Sequence, residues 1–282
     1  MDWPAAGRAK RRGSLLFVNG RGDFIEKYLE TYAHWQAKGW NVTSFDWRGQ
    51  GRSRGPGEEK ALASFDVLVE DLAALIATWR AANPGPHIVI GHSMGAHLLL
   101  RTIIDCAPEI DAAVLTAPML QVNSAPIPIR VAPDIADTMY WLGFGKTPMW
   151  KTPPSMLVPG GRRNRNLTQS RERYEDELFW WSVEPAFNTG PPSFGWMRAA
   201  FRSRAATFTP EKLARVTLPI LLIGAEQDRL VSAAAIREAA ALLPHAELEM
   251  MADARHEILR DADAVRDRAL ARIDAFLDGL TA

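Results

Sequence analysis

The feature that most constrains the fold is a glycine-flanked serine, Ser93, between a buried strand and an apolar helix. Its pentapeptide, Gly91-His92-Ser93-Met94-Gly95, follows the apolar run His87–Gly91 and opens a helical stretch that ends near Cys106. A turn this sharp strains the backbone at its centre, and neighbours without side chains relieve the crowding. The pattern therefore predicts a nucleophile elbow, in which the Ser93 oxygen stands clear of a parallel sheet.

The rest of the chain alternates short apolar strands with helical patterns. Strands are predicted at Ser14–Asn19, Trp40–Trp47, His87–Gly91, Ala112–Ala117, Pro219–Ala225 and Ala246–Met251. Helices are predicted at Ile25–Lys38, Phe65–Ala82, from Ser93 to about Cys106, at Ser232–Leu243 and at Ala264–Leu280. Such alternation indicates an α/β fold with a mostly parallel sheet and helices on both faces.

Residues 119–208 break this alternation, because they are dense in Pro, Trp and Arg and have no regular strand–helix pattern. We predict a core in two parts, residues 1–118 and 209–282, with an inserted cap of helices and loops at 119–208. The apolar side chains of this cap could line an acyl pocket. Arg162, Arg163 and Arg165 could meet a phosphate head group, and a solvated loop is the alternative.

Composition argues against several other classes of protein. The formal net charge is zero, which gives no support to a nucleic-acid partner, and the single Cys106 cannot form an internal disulfide. The first residues lack the apolar stretch of a signal peptide, and apolar runs elsewhere are too short to cross a bilayer. We expect a cytoplasmic protein, with peripheral membrane contact left open. A metal is not expected, because Arg260 stands where an H-E-x-x-H motif starting at His256 needs its second histidine.

A serine nucleophile needs a base and a carboxylate that orients the base, which follow it in the order Ser, Asp or Glu, His in this kind of sheet. His256 lies between the last strand and the last helix, at the carboxyl edge, whereas His245 lies at the opposite edge. Asp228 opens the loop after the preceding strand and is the best candidate for the acid. Glu226 and Asp253 remain alternatives. His92, inside the elbow, is expected to line the substrate site.

Four segments together resemble the α/β-hydrolase superfamily, in its lysophospholipase and monoacylglycerol-lipase branch, with bacterial lysophospholipase L2 proteins the most similar. They are Asn19-Gly20-Arg21, the D-x-R-G-x-G-x-S loop Asp46–Ser53, the elbow Gly91–Gly95, and Ala254–Leu259. The resemblance implies the α/β-hydrolase fold with a cap. It also implies a serine esterase that cleaves single-acyl lipids through an acyl-enzyme, without a cofactor.

By the same resemblance, the backbone N–H of Arg21 joins that of Met94 in an oxyanion hole. Glycines on both sides of Arg21 agree with this, because they let the backbone approach a substrate carbonyl, and Gly20 is expected to contact substrate. Asp46, Arg48 and Ser53 are expected to organise the Gly- and Arg-rich loop Arg48–Gly57. This fold normally opens with an antiparallel strand pair, which we expect to be missing or truncated here.

Other functions use the same residues. A thioesterase, an acyltransferase or a peptidase would need the same serine, histidine and aspartate. A non-catalytic binding protein on this scaffold is the alternative outside enzymes, although such proteins usually lose one of the three residues. The sequence therefore favours hydrolysis of a carboxylic ester.

Overall fold

A seven-stranded sheet forms the centre of the computed structural model, which describes residues 1–6, 11–54 and 64–281. In chain order its strands are β1 Asp2–Trp3, β2 Gly13–Val18, β3 Trp40–Phe45, β4 His87–His92, β5 Ala112–Thr116, β6 Ile220–Ala225 and β7 Ala246–Met251. Their spatial order is β1-β3-β2-β4-β5-β6-β7, and β1 alone among them is antiparallel to its neighbour. The predicted α/β-hydrolase fold class, with its mostly parallel sheet, is confirmed.

Helices connect the strands on both faces of the sheet. They are α1 Leu29–Ala37, α2 Asp66–Ala82, α3 Met94–Cys106, α4 Ala132–Met139, α5 Pro154–Leu157, α6 Arg162–Leu167, α7 Arg171–Val183, α8 Phe194–Thr207, α9 Pro210–Leu213, α10 Ala233–Leu242 and α11 Asp263–Thr281. None of the helices in the described part of the chain is long and apolar enough to cross a membrane.

Two hydrophobic cores lie against opposite faces of the sheet, because successive side chains on a strand point in opposite directions. On β2, Leu16 and Val18 face the core that α2, α3 and α10 complete. Leu15 and Phe17 face the other core, which α1 and α11 cover. Both faces of the central strands are buried, which explains why β5 and β6 are continuously apolar in sequence, whereas β3 and β7, nearer the sheet edges, include polar residues.

Two details at the start of the chain differ from a regular pattern. The predicted helix Ile25–Lys38 is divided into a 3₁₀ turn, Ile25–Tyr28, and α1, because Tyr28 has φ −118° and ψ 16°. In place of an antiparallel strand pair, the sheet edge carries the two-residue strand β1, with Trp3 opposite Val42. The last three residues of the expected loop Arg48–Gly57 lie outside the described residues.

The carboxyl edge of the sheet gathers the loops that matter for function. β3 lies on one side of β2 and β4 lies on the other. The strand order therefore reverses at the boundary between β2 and β4, although the strands there remain parallel. Parallel sheets bind ligands in the crevice that such a reversal opens beyond the carboxyl ends of the strands. The loops after β2 and β4 flank this crevice, and those after β6 and β7 leave the sheet at the same edge.

Residues 119–208, which we call the inserted segment, connect β5 to α9 through helices α4 to α8. The segment is tied to the sheet loops by several hydrogen bonds. The Thr168 hydroxyl donates to the Arg260 carbonyl at 2.7 Å, and the Glu257 N–H donates to the Leu167 carbonyl at 2.8 Å. These bonds fix α6 and the start of α7 against the loop that follows β7.

Candidate active site

The turn at Ser93 has the strained backbone of a nucleophile elbow. Ser93 has φ 52° and ψ −116°, outside the ordinary regions for a residue with a side chain. A Cβ added to Gly91 would lie 2.6 Å from the Cα of Ala96, and one added to Gly95 would collide with the carbonyl oxygen of Val18. The flanking glycines are therefore required by close backbone approach, as the sequence pattern predicted.

Ser93, His256 and Asp228 form a continuous hydrogen-bonded relay. The Ser93 hydroxyl lies 2.9 Å from Nε2 of His256, and Nδ1 of His256 lies 2.6 Å from Oδ2 of Asp228. An ionised carboxylate can only accept, so Nδ1 donates to Asp228 and Nε2 is left to accept the serine proton. Three residues up to 163 positions apart in sequence thus meet at the carboxyl edge of the sheet.

The loop after β6 decides which carboxylate orients His256. Oδ1 of Asp228 accepts hydrogen bonds from the N–H groups of Leu230, at 2.7 Å, and Val231, at 3.0 Å. These bonds hold the carboxylate with its other oxygen toward the histidine. Both sequence alternatives have other partners: Glu226 pairs with Arg237, and Asp253 pairs with Arg268.

The two histidines of the site have opposite pKa shifts. Burial lowers the pKa of His256, but the adjacent Asp228 carboxylate, together with Glu257 and Asp23, more than offsets this effect, so the pKa lies above its ordinary value. Burial lowers the pKa of His92 to about 4, which keeps His92 neutral near pH 7. Its ring packs against His256, with centroids 5.1 Å apart, and against Tyr28. His92 thus lies behind the base and is 3% exposed.

The loop after β2 is held so that the Arg21 N–H faces a defined direction. The Gln50 side chain donates to the Gly20 carbonyl at 3.0 Å and accepts from the Gly22 N–H at 2.9 Å. In a trans peptide the C=O and N–H groups point in opposite directions, so holding the Gly20 carbonyl also fixes the Arg21 N–H. Gly20 itself is close to the nucleophile, since a Cβ there would lie 3.2 Å from the Ser93 Cβ.

The other expected oxyanion donor, the Met94 N–H, belongs to the first residue of α3, where backbone N–H groups have no acceptor within the helix. The loop after β3 is itself held in place by hydrogen bonds to Asp46. Asp46 accepts from the N–H groups of Ile25 and Arg52, both at 2.8 Å, in line with its expected organising role. Sequence reasoning missed Gln50, and the available signal was its place inside the Asp46–Ser53 motif.

A buried cluster of charges lies beside this loop and was not expected from the sequence. Nζ of Lys27 lies 2.7 Å from Asp23, 2.6 Å from Glu257 and 3.0 Å from Glu177. Burial lowers the pKa of Lys27, but these carboxylates more than offset it, so the pKa is raised and the ammonium stays charged. Separate lysines and carboxylates in a sequence are normally solvated, which is why no local pattern marks the cluster.

Two of the three arginines that were expected near a phosphate head group bind groups of the protein itself. Arg163 makes two hydrogen bonds to the buried Glu177, at 2.6 Å and 2.9 Å, and Arg165 binds the carbonyl of Gly160. Arg162, Arg163 and Arg165 also begin a helix, α6, and do not form the solvated loop that was the alternative. A guanidinium held by a carboxylate on two nitrogens is a poor partner for a phosphate, so the contacts of Arg163 argue against a head-group role for this residue.

The Ser93 and His256 side chains are largely covered by the rest of the protein. Ser93 is 9% exposed and His256 is 4% exposed. A cleft of about 480 Å³ runs past Asp228 and Val231 along the start of the inserted segment, and a second of about 190 Å³ lies between α4 and α8. Neither cleft is lined by Ser93 or His256. Among the described residues, no group of three or more His, Cys, Asp or Glu side chains is arranged to hold a metal ion.

Comparison with known proteins gives a consistent picture. The profile of the family described as serine aminopeptidase, S33, matches residues 9–263. Lysophospholipase L2 of Escherichia coli is 28% identical, over 94% of this chain and 80% of that protein. Monoacylglycerol lipase of Mycolicibacterium smegmatis is 26% identical, over 80% of this chain and 74% of that protein.

Solved structures share the fold. A soluble variant of the Saccharomyces cerevisiae monoglyceride lipase, in complex with a substrate analogue, superposes with a TM-score of 0.79 at 18% identity. The match covers 100% of this chain and 91% of that one. A monoacylglycerol lipase from Paleococcus ferrophilus gives a TM-score of 0.74 at 17% identity, with 99% and 97% covered. At these identities the likeness concerns the fold.

Proposed function

The chain belongs to the serine aminopeptidase S33 family and has the α/β-hydrolase fold, and on this premise we propose that it is a serine carboxylic-ester hydrolase acting on single-acyl lipids. The observation that supports this most is the relay from Ser93 through His256 to Asp228, with distances of 2.9 Å and 2.6 Å. A lysophospholipid or a monoacylglycerol is the proposed substrate, by analogy with the names of two relatives.

In the first half of the proposed reaction, the Ser93 oxygen attacks the ester carbonyl while its proton passes to Nε2 of His256. The carbonyl oxygen becomes an oxyanion, which accepts hydrogen bonds from the N–H groups of Met94 and Arg21. The bond to the leaving oxygen then breaks, and His256 returns its proton to the departing alcohol. The acyl group remains esterified to Ser93.

In the second half, a water molecule takes the place of the alcohol. His256 accepts one proton from the water as the water oxygen attacks the acyl-enzyme, and the same two N–H groups donate hydrogen bonds to the new oxyanion. The bond to Ser93 breaks, His256 returns the proton to the serine oxygen, and the fatty acid leaves. The sum is ester plus water giving acid plus alcohol, and the residues of this chain suffice for each proton transfer.

The inserted segment is proposed to act as a cap, between core parts at residues 1–118 and 209–282. Its first residues contact the elbow directly, since the Met119 N–H donates to the Ser93 carbonyl at 3.1 Å. The Arg21 guanidinium reaches across to the Gly190 carbonyl at 3.0 Å. Together with the low exposure of Ser93, these contacts favour a segment that covers bound substrate and excludes bulk water.

Peripheral contact with a membrane is a further part of the proposal. Trp141 is 74% exposed, Leu142 is 65% exposed and Phe144 is 46% exposed, all on one turn of the inserted segment. Exposed apolar side chains in a cluster are typical of an interaction surface, and a lipid substrate resides in a membrane or micelle. The double change Trp141→Ser with Leu142→Ser should reduce co-sedimentation with phosphatidylcholine vesicles while turnover of p-nitrophenyl butyrate is retained. A cytoplasmic location stays a prediction of the sequence, to be checked by cell fractionation.

The deciding experiment measures hydrolysis of p-nitrophenyl esters of rising chain length, lysophosphatidylcholine, monoacylglycerol and aminoacyl p-nitroanilides. We expect ester turnover that falls at least about a thousandfold in Ser93→Ala, because triad members act as a unit. A fluorophosphonate should label the wild type and fail to label Ser93→Ala. Preference for the anilides would favour a peptidase, and labelling that survives in Ser93→Ala would move the nucleophile elsewhere.

A further inference from the structure

Six charged side chains meet in a buried network where three segments of the chain converge: the stretch after β2, helices α6 and α7 of the inserted segment, and the stretch after β7. Three are carboxylates and three are cations, so the network has no net charge: Asp23, Glu177, Glu257, Lys27, Arg163 and Arg260. Lys27 is at its centre, with 1% of its side chain exposed and a carboxylate from each of the three segments around it. Arg163 pairs with Glu177, and Arg260 lies 3.3 Å from Glu257.

Stability alone is a weak explanation for such a network. Taking charges out of water costs several kcal/mol per ion, and apolar residues of similar volume often stabilise a fold as well or better. A buried charge cluster does, however, fix the relative positions of its members, because each one loses its partners if it moves. The network is therefore expected to fix the relative positions of the parts of the site that its members contact.

Each carboxylate of the network sits next to a part of the proposed active site. Asp23 accepts the Gly20 N–H at 2.9 Å through its second oxygen, and Gly20 precedes the proposed oxyanion donor Arg21. Glu257 directly follows the proposed base, His256. Glu177 lies on α7 of the inserted segment and is fully buried.

We propose that Glu177 and Lys27 are positioning residues that align the oxyanion loop when the inserted segment is in place. The inference rests on the proposed function. Three consecutive contacts connect the inserted segment to this loop. Glu177 forms an ion pair with Lys27, Lys27 forms another with Asp23, and Asp23 accepts a hydrogen bond from the Gly20 N–H. The inserted segment thereby has two functions, since the same helix that covers the site also completes the support of the oxyanion donor.

A second ion pair between the inserted segment and the core provides a matched control. Arg173, also on α7, pairs with Glu30 of α1 at 2.8 Å, and neither side chain contacts the oxyanion loop. Glu30→Gln removes a carboxylate that fastens the same helix, by the same chemical change as Glu177→Gln. Glu177 is fully buried whereas the Glu30 side chain is 56% exposed, so the deciding quantity is which kinetic parameter changes. A network that only fastened the segment would alter KM and stability in Glu177→Gln and leave kcat near the wild-type value.

The experiment compares Glu177→Gln with Glu30→Gln, using p-nitrophenyl butyrate kinetics and the rate of fluorophosphonate labelling. Removing one oxyanion donor costs about 10²–10³ in kcat, so misalignment of a donor should lower kcat by about ten- to a hundredfold, with KM within about twofold. Labelling of Ser93 should slow in parallel. Glu30→Gln should leave kcat and labelling within about twofold of wild type.

A charge-balanced variant covers the case in which Glu177→Gln does not fold. Arg163→Met with Glu177→Gln removes one cation and one carboxylate together and should give the same fall in kcat. Equal kcat in the Glu177 and Glu30 variants, a change confined to KM, or failure of both Glu177 variants to fold would overturn the inference. A wild type that is not labelled would instead refute the proposed function, and this inference with it.

Discussion

Asp228→Asn is the sharpest perturbation of the proposed relay, because it changes one atom and almost no volume. In the wild type, Oδ1 of Asp228 accepts two backbone N–H groups while Oδ2 accepts from His256. An asparagine has one oxygen for these two tasks. If that oxygen keeps the N–H groups of Leu230 and Val231, the amide nitrogen faces Nδ1 of His256, and both are then donors.

His256 can resolve this conflict only by moving its proton to Nε2. That tautomer presents an N–H to Ser93 and cannot accept the serine proton. Turning the amide over would restore the tautomer, but it would set an NH₂ group against two backbone donors and forfeit two hydrogen bonds of about 1 kcal/mol each. The wrong tautomer should therefore dominate. We expect kcat to fall about 10⁴-fold, equivalent to about 5.5 kcal/mol of transition-state stabilisation.

The assay is steady-state hydrolysis of p-nitrophenyl butyrate, with circular dichroism to establish that the variant is folded. Glu226→Gln is the control, because Glu226 lies in the same loop but pairs with Arg237 and should leave kcat unchanged. Turnover of Asp228→Asn near that of wild type would refute the tautomer reasoning. If Glu226→Gln lost activity at the same time, the acid role would pass to Glu226.

Four further predictions rest on the same geometry. His256 must be neutral to act as base and its pKa is raised, so kcat/KM should decline on the acid side with a midpoint above the ordinary pKa of histidine. In Asp228→Asn that midpoint should drop, because the carboxylate that raises the pKa most is then absent while burial still lowers it. Because the pKa of His256 is higher in the folded state, His256 stabilises the fold at low pH, and this contribution is lost as the pH rises through the folded-state pKa. Thermal melts of the wild type and His256→Gln across pH should show this difference. Gln50→Leu frees the peptide before Arg21 and should lower kcat about tenfold with little change in KM, whereas a change in KM alone would contradict this positioning role. Gly95→Ala places a methyl group against the Val18 carbonyl and should lower the free energy of unfolding by about 1–3 kcal/mol in urea titrations, and an unchanged midpoint would show that the elbow tolerates the methyl group.

Local sequence signals determined most of the secondary structure and the outline of the site. Strand β7 was predicted at its observed bounds, and helix α2 to within one residue. The signals used, the spacing of apolar residues and the Pro- or Gly-rich stretches between elements, depend on only a few neighbouring residues. The elbow was predictable for a related reason: the conformation of Ser93 requires small neighbours, and these are visible in the chain as Gly91 and Gly95.

Tertiary structure alone decided which distant side chains meet. The sequence left Glu226 and Asp253 beside Asp228 as possible acids, and the 2.6 Å contact to His256 distinguishes them. The sequence also could not indicate that Lys27 would lie among carboxylates up to 230 positions away. Backbone conformation depends on a residue and its near neighbours, whereas the partner of a buried charge depends on how separate segments pack. For that reason the proposed nucleophile and base, Ser93 and His256, could be selected from the chain, and the network beside them could not.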